Sequence, residues 1–143
     1  MIPKEIEPEH LNIIAKDTLL SHLKIEFTEV AENYIIAKMP INQNTSQPMG
    51  ILHGGASVAL AESIGSIGSY LMVDKNKEIA LGLEINANHV GSAYEGYVYG
   101  KGEIIHKGKS THIWNIEIRG ENDKLISISR LTIMIIKRRK ELK

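Results

Sequence analysis

Apolar and polar residues alternate through the second half of the chain in the manner of half-buried β-strands. In the segment THIWNIEIR, for example, His112 and Trp114 fall on one face and Asn115 and Glu117 on the other. The pattern predicts four strands, at about residues 79–90, 96–106, 111–119 and 124–137. The last strand ends in a continuous apolar run, LTIMII, so we expect it to be central in its sheet or buried on both faces.

The first half of the chain predicts three further elements. Residues 24–30 and 33–39 alternate on either side of a turn-like AEN, which indicates a β-hairpin. The N-terminal segment, residues 1–20, predicts one short helix because its apolar residues fall at helical spacing. These residues are Leu11, Ile14, Ala15 and Leu19. The stretch INQNTSQPMG, residues 41–50, predicts a loop.

A long helix is predicted after that loop, in the stretch HGGASVALAESIGSIGSY, residues 53–70. It consists almost wholly of small and apolar residues, and Glu62 is its only charged residue. A helix that is apolar nearly all round should be surrounded by other elements. The economical arrangement is an α+β fold in which about six antiparallel strands form a curved sheet wrapped around one long helix.

Size, charge and composition narrow the class of protein. A chain of 143 residues suits one domain over residues 1–143. Lys plus Arg and Asp plus Glu both number 17, so the net charge gives no general attraction to nucleic acid or to an anionic membrane. The lack of cysteine excludes disulfides and thiolate chemistry. The first residues lack the apolar core of a signal peptide, and LTIMII is too short to span a bilayer, so we expect a cytoplasmic protein.

Glu62 raises the chemical question, because a buried carboxylate is costly unless it is paired or reactive. One interpretation is an ion pair with a basic residue on a neighbouring strand. The other is catalysis, which two features favour. No Lys or Arg lies between Val58 and Asp74 to pair with it along the helix. Its neighbours Val58, Ala59 and Gly65 should also partly desolvate the carboxylate.

The start of the helix is the second candidate feature. Backbone N–H groups near Gly54 lack intrahelical partners and lie at the positive end of the helix dipole, where they would stabilise an oxyanion. The plainer interpretation is that the glycine pair only opens the helix. Gly54 and Glu62 are about 12 Å apart along one helix, so they meet at one reacting carbon only if two chains pair. The helix also has small residues that suit either close approach of two helices or packing against its own sheet: Ala61, Gly65, Gly68 and Ser69.

Several stretches resemble the hotdog-fold acyl-CoA thioesterases: QPMGILHGGASVALAESIGSIGSYL, GLEINANHVGSAYEG, IWNIEI and SRLTIMI. The most similar branch comprises hydrolases of 1,4-dihydroxy-2-naphthoyl-CoA and related aromatic acyl-CoAs, with the phenylacetate-pathway thioesterases. The resemblance implies a hotdog fold with active sites shared across a dimer interface. It implies that Glu62 is the catalytic carboxylate, and that the N–H of Gly54 polarises the thioester carbonyl, helped by Gln47 from the partner's loop. It also implies that Ser66 orients the attacking water or the carboxylate, and that His53 lies beside the thioester.

Coenzyme A recognition is where the chain departs from that branch. The naphthoyl-type relatives have arginines after the NANHV segment that meet the CoA phosphates, whereas this chain has Gly91 and Tyr94 there. We therefore expect the nucleotide contacts in the HKGKST turn, from Lys107, Lys109, Ser110 and Thr111. The basic tail KRRKELK, residues 137–143, is either solvated or reaches toward a phosphate. His89 either lines the pocket or is a structural histidine.

Three functions stay open at this stage. The first is hydrolysis of an aromatic or medium-chain acyl thioester of CoA, or of a carrier-protein phosphopantetheine, with Glu62 as general base or as nucleophile through an anhydride. The second is a non-catalytic acyl-CoA-binding hotdog domain, and the third is a hydroxyacyl thioester dehydratase. No metal-ligand spacing such as HExxH occurs, so we expect neither metal nor cofactor. We expect a homodimer or homotetramer whose partner is a small-molecule acyl-CoA, and neither nucleic acid nor a membrane.

Overall fold

The computed structural model describes residues 1–138, and the part of the predicted basic tail after Arg138 lies outside them. The chain begins with two short helices, α1 (Pro8–Ile14) and α2 (Leu19–His22). The hairpin strands β1 (Glu26–Val30) and β2 (Tyr34–Pro40) and the long helix α3 (Gly54–Met72) follow. The remaining strands are β3 (Glu78–His89), β4 (Tyr97–Lys107), β5 (Thr111–Gly120) and β6 (Leu125–Lys137).

The six strands form one sheet in the order β1-β2-β4-β5-β6-β3, and every neighbouring pair is antiparallel. Helix α3 packs across this sheet and contacts five of its strands, β2 to β6. The predicted α+β architecture, with its hairpin, its long helix and its four later strands, is confirmed. The observed strand ends differ from the predicted ones by at most two residues.

The core lies between the inner face of the sheet and one side of α3. Trp114 of β5 and Leu131 of β6 are fully buried there, together with Leu60 and Ile64 of α3. The alternation predicted for β5 is confirmed, since its buried face carries His112 and Trp114.

The small residues of α3 serve this packing. Ala61, Gly65, Gly68 and Ser69 are all buried within the chain. A Cβ atom at Gly68 would overlap the ring of Trp114, so only glycine allows the helix to lie this close to β5. Of the two interpretations of these residues, packing against the chain's own sheet is confirmed. They therefore give no support to a close approach of two helices.

Strand β6 is central, between β5 and β3, but only one of its faces is buried. Ser127, Ser129 and Leu131 are buried on the side of α3, whereas Ile128 and Arg130 are exposed on the other side. Of the two alternatives expected for this strand, the central position is confirmed and burial on both faces is not observed, because α3 covers a single face of the sheet.

The N-terminal segment forms two helices, so the prediction of one helix is wrong. Asp17 has a φ of 59°, and α1 cannot continue through that left-handed conformation. Thr18 then starts α2 by accepting a hydrogen bond from the N–H of Leu20. The two helices leave a groove along the side of α3 that faces away from the sheet. Helix α3 is thus not surrounded within the chain, contrary to the expectation from its composition.

Candidate active site

The N-terminus of α3 keeps one backbone donor available for a bound group. His53 caps the helix, because its Nδ1 accepts a hydrogen bond of 2.8 Å from the N–H of Gly55. Among the hydrogen bonds of residues 1–138, none uses the N–H of Gly54. That N–H lies at the positive end of α3, so it is suited to donate to a polarised carbonyl oxygen.

A cavity of about 240 Å³ lies against this helix start and brings together three predicted site residues, Gln47, Gly54 and His89. His89 reaches it from the end of β3, and a Cβ atom at Gly54 would lie only 2.8 Å from its Nε2. Gln47 belongs to the loop before α3, where its N–H donates a hydrogen bond of 2.8 Å to the carbonyl of Ile51. Of the two interpretations of His89, the structure places it in the lining of a cavity, against the helix start.

Glu62 and Ser66 line a different space, the groove between α3 and the N-terminal helices. Glu62 is half-buried, and its carboxylate lies against β3, where a Cβ atom at Gly82 would overlap Oε1. The pairing of β3 with β6 also shifts register between Gly82 and Glu84. Strand β3, at the edge of the sheet, therefore approaches the carboxylate at an irregular position, and it does so through Gly82, which has no side chain.

Glu62 forms no salt bridge within residues 1–138, so the ion-pair interpretation is wrong for the described chain. Val58 and Ala59 line the groove beside it, as expected. Gly65 does not, because it is buried against Leu131 and Trp114 on the opposite side of α3. A carboxylate without a cationic partner, at the edge of an apolar groove, is free to act as a base or a nucleophile.

The two halves of the predicted site do not meet within one chain. Gly54 and Glu62 are eight residues apart on a continuous helix, about 12 Å along its axis. They also line separate cavities. One carbonyl carbon cannot contact both groups of the same chain, so a site composed from two chains stays a prediction.

The HKGKST turn lies at the opposite end of α3 from Gly54. Lys107 and Lys109 line a cavity of about 340 Å³ together with Met72, the last residue of α3. The carbonyl oxygens of Ser110 and Thr111 hold the turn by accepting main-chain hydrogen bonds of 2.8 Å. Both lysines are exposed, so the turn presents two cations beside one cavity.

The missing arginine at Gly91 has a structural reason. The chain passes so close to the start of β6 that a Cβ atom at Gly91 would overlap the carbonyl oxygen of Leu125. The N–H of Gly91 also donates a hydrogen bond of 3.1 Å to the carbonyl of Ile126. An arginine here would force the two backbones apart. The exposed Tyr94, at the other matching place, carries no charge for a phosphate.

His112 belongs to a buried polar cluster that sequence reasoning did not single out. The indole N–H of Trp114 donates a hydrogen bond of 2.9 Å to Oγ of Ser69, and that Oγ lies 3.0 Å from Nδ1 of His112. Burial lowers the pKa of the His112 imidazole, which favours the neutral ring beside the hydroxyl of Ser69. The available signal was the position of His112 on the same face as Trp114.

Two further observations concern the described chain as a whole. Within residues 1–138, no three His, Asp or Glu side chains are grouped so that they could hold a metal ion. No helix in that part of the chain has the length and apolar character needed to cross a membrane. The expectation of neither metal nor cofactor stays a prediction.

Comparison with known families decides the class of protein. A family model described as the thioesterase superfamily matches residues 49–127, a stretch that contains all of α3, β3, β4 and β5. This match covers more than half of the chain. The chain belongs to the thioesterase superfamily. It is therefore an enzyme that hydrolyses thioesters, and the hotdog fold implied by the resemblance is confirmed.

Relatives of this thioesterase align over nearly its full length. The 1,4-dihydroxy-2-naphthoyl-CoA hydrolase of Escherichia coli K12 is 44% identical over 133 residues, which are 93% of this chain and 97% of that one. A thioesterase from Pseudomonas aeruginosa, solved as a glutamine-to-alanine mutant, has a TM-score of 0.93. Its sequence is 39% identical, and the match covers 96% of this chain and 99% of the other.

A thioesterase from Staphylococcus aureus is known as two alanine mutants. One replaces a glutamine, and the other replaces a glutamate fifteen residues further along that chain. The glutamine mutant matches with a TM-score of 0.80 and 43% identity, over 82% of this chain and 97% of its own. The glutamate mutant matches with a TM-score of 0.82 and 42% identity, over 84% of this chain and 99% of its own.

Proposed function

We propose that this thioesterase hydrolyses acyl-CoA to the free acid and CoA, with Glu62 as the catalytic carboxylate. The observation that carries the proposal is a pair of unengaged groups on α3. Within residues 1–138, the N–H of Gly54 has no hydrogen-bond partner and the carboxylate of Glu62 has no cationic partner. The E. coli relative is named for a CoA thioester, which supports CoA as the carrier.

The Staphylococcus aureus relative supports the choice of residues. Gln47 and Glu62 are separated by fifteen residues, the same spacing as the glutamine and the glutamate that were replaced in that protein. Glu62 lies in the region matched by the thioesterase family model, and Gln47 lies two residues before that region begins. We therefore assign Gln47 to the carbonyl side of the site and Glu62 to the side of the attacking group.

In the proposed reaction, the thioester oxygen accepts hydrogen bonds from the N–H of Gly54 and from the side-chain amide of Gln47, which stabilise the developing oxyanion. His53 holds that helix start in place by capping it. Glu62 either takes a proton from the attacking water or attacks the carbonyl carbon itself, forming an anhydride that water then cleaves. Ser66 positions the water or the carboxylate from the next turn of α3. The C–S bond breaks, and CoA leaves as the thiolate, which takes up the proton released by the water that is consumed.

The edge strand supports a site made from two chains. Strand β3 is 12 residues long and has β6 as its one neighbour in the sheet of residues 1–138. It exposes Leu81 and Leu83, and it lies against Glu62 at Gly82. An unpaired edge of this length is a template for pairing with another strand. Pairing of β3 with its own copy would bring Glu62 of each chain toward Gly54 of the other, in a homodimer or in a tetramer built from it.

The HKGKST turn is our candidate for the nucleotide end of CoA. Met72, which shares a cavity with Lys107 and Lys109, is ten residues beyond Glu62, about 15 Å along α3. The CoA arm would run from the thioester at Glu62 toward this end of the helix, where the two lysines meet its phosphates. His89, which lines the cavity at Gly54 of the other chain, would contact the substrate beside the thioester.

The proposal is tested by replacing the carboxylate with an amide of the same shape. Glu62→Gln should lower kcat by a factor on the order of 10² or more, because a positioned base or nucleophile is lost. Glu121→Gln makes the same chemical change in the exposed turn between β5 and β6 and should leave kcat unchanged. Thiol release from a panel of acyl-CoAs, followed with a disulfide reagent, measures the rate. Hydrolysis at the parent rate by folded Glu62→Gln would reject Glu62 as the catalytic group.

The same panel separates the other two functions. A binding domain would hold acyl-CoA without releasing the thiol. A dehydratase would convert hydroxyacyl-CoA to the unsaturated thioester, again without thiol release. Steady release of CoA by the parent protein is the outcome we expect.

A further inference from the structure

A groove of about 620 Å³ runs between the N-terminal helices and the side of α3 that faces away from the sheet. Five of the residues that line it have branched aliphatic side chains: Ile14, Leu19 and Leu20 from the N-terminal segment, and Val58 and Ile67 from α3. No aromatic side chain of the described chain lines it. Glu62 lies on its α3 wall. The groove is therefore an apolar channel that reaches the proposed catalytic carboxylate.

The N-terminal wall of this groove is held in a set position. The side chain of Asn12 donates a hydrogen bond of 3.0 Å to the carbonyl of Phe27 and accepts one of 2.8 Å from its N–H. Leu11 and Ala15, on either side of Ile14, are buried in the core. These contacts fix α1 against β1, so Ile14 is presented to the groove by a rigid element.

Two apolar side chains of the same wall stay uncovered within the chain. Ile14 is 47% exposed and Leu19 is 59% exposed. Leaving apolar surface in water is unfavourable by about 25 cal/mol per Å², so an apolar group bound in the groove would gain from covering both. None of the N-terminal residues that line the groove is charged. This wall thus suits the hydrocarbon part of an acyl group and offers nothing to a charged ligand.

We propose that the N-terminal helices form the acyl-binding wall of this thioesterase, and that Ile14 and Leu19 set the size of the acyl group it accepts. The inference rests on the proposed function, since it takes Glu62 as the group that meets the thioester. The substrate class is a thioester whose acyl group is hydrocarbon beyond the carbonyl. The family match begins at residue 49, so this selectivity is carried by a segment outside the part that the family model describes.

The test measures kcat/KM for acetyl-, hexanoyl-, decanoyl- and benzoyl-CoA. One methylene group in an apolar pocket changes specificity by about 10- to 200-fold. Leu19→Trp obstructs the groove and should therefore lower kcat/KM for decanoyl-CoA by about tenfold or more relative to acetyl-CoA. Ile14→Trp makes the same obstruction from α1 and should act alike. Leu19→Ala removes wall contacts and should lower the value for hexanoyl-CoA several-fold without affecting acetyl-CoA.

The matched control is Ile13→Ala. Ile13 is adjacent to Ile14 and 72% exposed, but it does not line the groove, so its substitution should leave the order of substrates unchanged. Folded tryptophan variants whose substrate order equals that of Ile13→Ala would overturn the inference and leave the role of Glu62 intact. A parent protein inactive on the whole panel would overturn the proposed function and this inference with it. Glu62→Gln should lower kcat/KM by the same factor for every substrate, whereas the Leu19 variants should lower it by a factor that depends on the length of the acyl group.

Discussion

At the scale of single residues, His53 and Gly54 together explain how the start of α3 can be capped and still offer a backbone N–H as a donor. The ring of His53 accepts from Gly55, one residue beyond Gly54, and leaves the Gly54 N–H without a partner among the described residues. The absence of a side chain at Gly54 then lets His89 lie against the same place. Each of these residues was identified from the sequence, but their mutual contacts depend on β3 and α3 meeting in space.

His112 should make the stability of the protein depend on pH. Burial lowers its pKa in the folded chain, while unfolding restores the ordinary value of about 6.5. Below about pH 6.5 the unfolded chain binds the proton first, so the free energy of unfolding falls as the pH falls; above that pH His112 contributes no slope. We expect His112→Asn to reduce the slope of the free energy of unfolding between about pH 7 and about pH 5.5, measured by urea denaturation.

The exposed His22 provides the control for this measurement. His22→Asn should keep the parent slope, because its imidazole is not buried. Equal slopes for the parent protein and His112→Asn would show that the buried imidazole contributes nothing to the pH dependence. His112→Asn should also lower stability at neutral pH by roughly 1–3 kcal/mol, since the hydroxyl of Ser69 loses one of its two buried partners.

At the scale of elements, the sequence was a good guide wherever one periodicity ran unbroken. Strands β3 to β6 were predicted mainly from alternating apolar positions, and helix α3 was predicted from a long stretch that is small and apolar almost throughout. The N-terminal helix failed at one backbone position, the left-handed Asp17, which apolar spacing cannot reveal. Burial on both faces of β6, one of the two alternatives for that strand, is not observed for a different reason. The apolar run of β6 is continuous, but α3 covers only one face of the sheet. Which face is covered depends on how the helix packs on the sheet, and the sequence of the strand does not show this.

The candidate site could likewise be predicted from the sequence in some respects and not in others. The residue types and spacing of Gln47, Gly54 and Glu62 are visible in the sequence, as is the 12 Å problem that they raise. The sequence does not show which side of α3 faces the sheet and which side faces the groove. Gly65 was expected beside the carboxylate and instead meets the sheet, while the groove formed with Leu19 required the positions of α1 and α2.

The turn between β4 and β5 should contribute to CoA binding more than to the chemical step. Lys107→Ala and Lys109→Ala should each raise KM for acyl-CoA several-fold with a much smaller change in kcat, because the nucleotide is remote from the reacting carbonyl. Each charge-assisted hydrogen bond to a phosphate contributes roughly 1.5–3 kcal/mol where it is well formed. The effect should shrink with an acyl-pantetheine substrate that lacks the nucleotide. Steady-state kinetics on both substrates provides the measurement.

Lys4→Ala removes an exposed lysine near the start of the chain and is the control for these two variants. It should leave KM unchanged on both substrates. If Lys107→Ala and Lys109→Ala behaved like Lys4→Ala on full-length acyl-CoA, the turn would not be the nucleotide site. The basic tail after Arg138, which lies outside the described residues, would then be the next segment to test.

At the scale of the whole molecule, we propose that the chain is half of a larger assembly. Its donor at Gly54 and its carboxylate at Glu62 line different cavities. Among residues 1–138, its sheet ends in the long strand β3, whose outer edge has no partner and lies beside that carboxylate. Two copies joined along β3 would resolve both features at once, because each chain would complete the site of the other. The N-terminal helices would then cover the acyl group on the side of α3 that the sheet does not reach.

The most direct test of this account is complementation between two inactive chains. Gln47→Ala and Glu62→Ala are each expected to be inactive as homodimers, since every site in them lacks one of the two groups. When the two chains are mixed, unfolded and reassembled, a mixed dimer should contain one site with both defects and one site with neither. Thiol release should therefore return to about half of the parent rate per mixed dimer. No recovery in confirmed mixed dimers would contradict the account, because each site would then be built within a single chain.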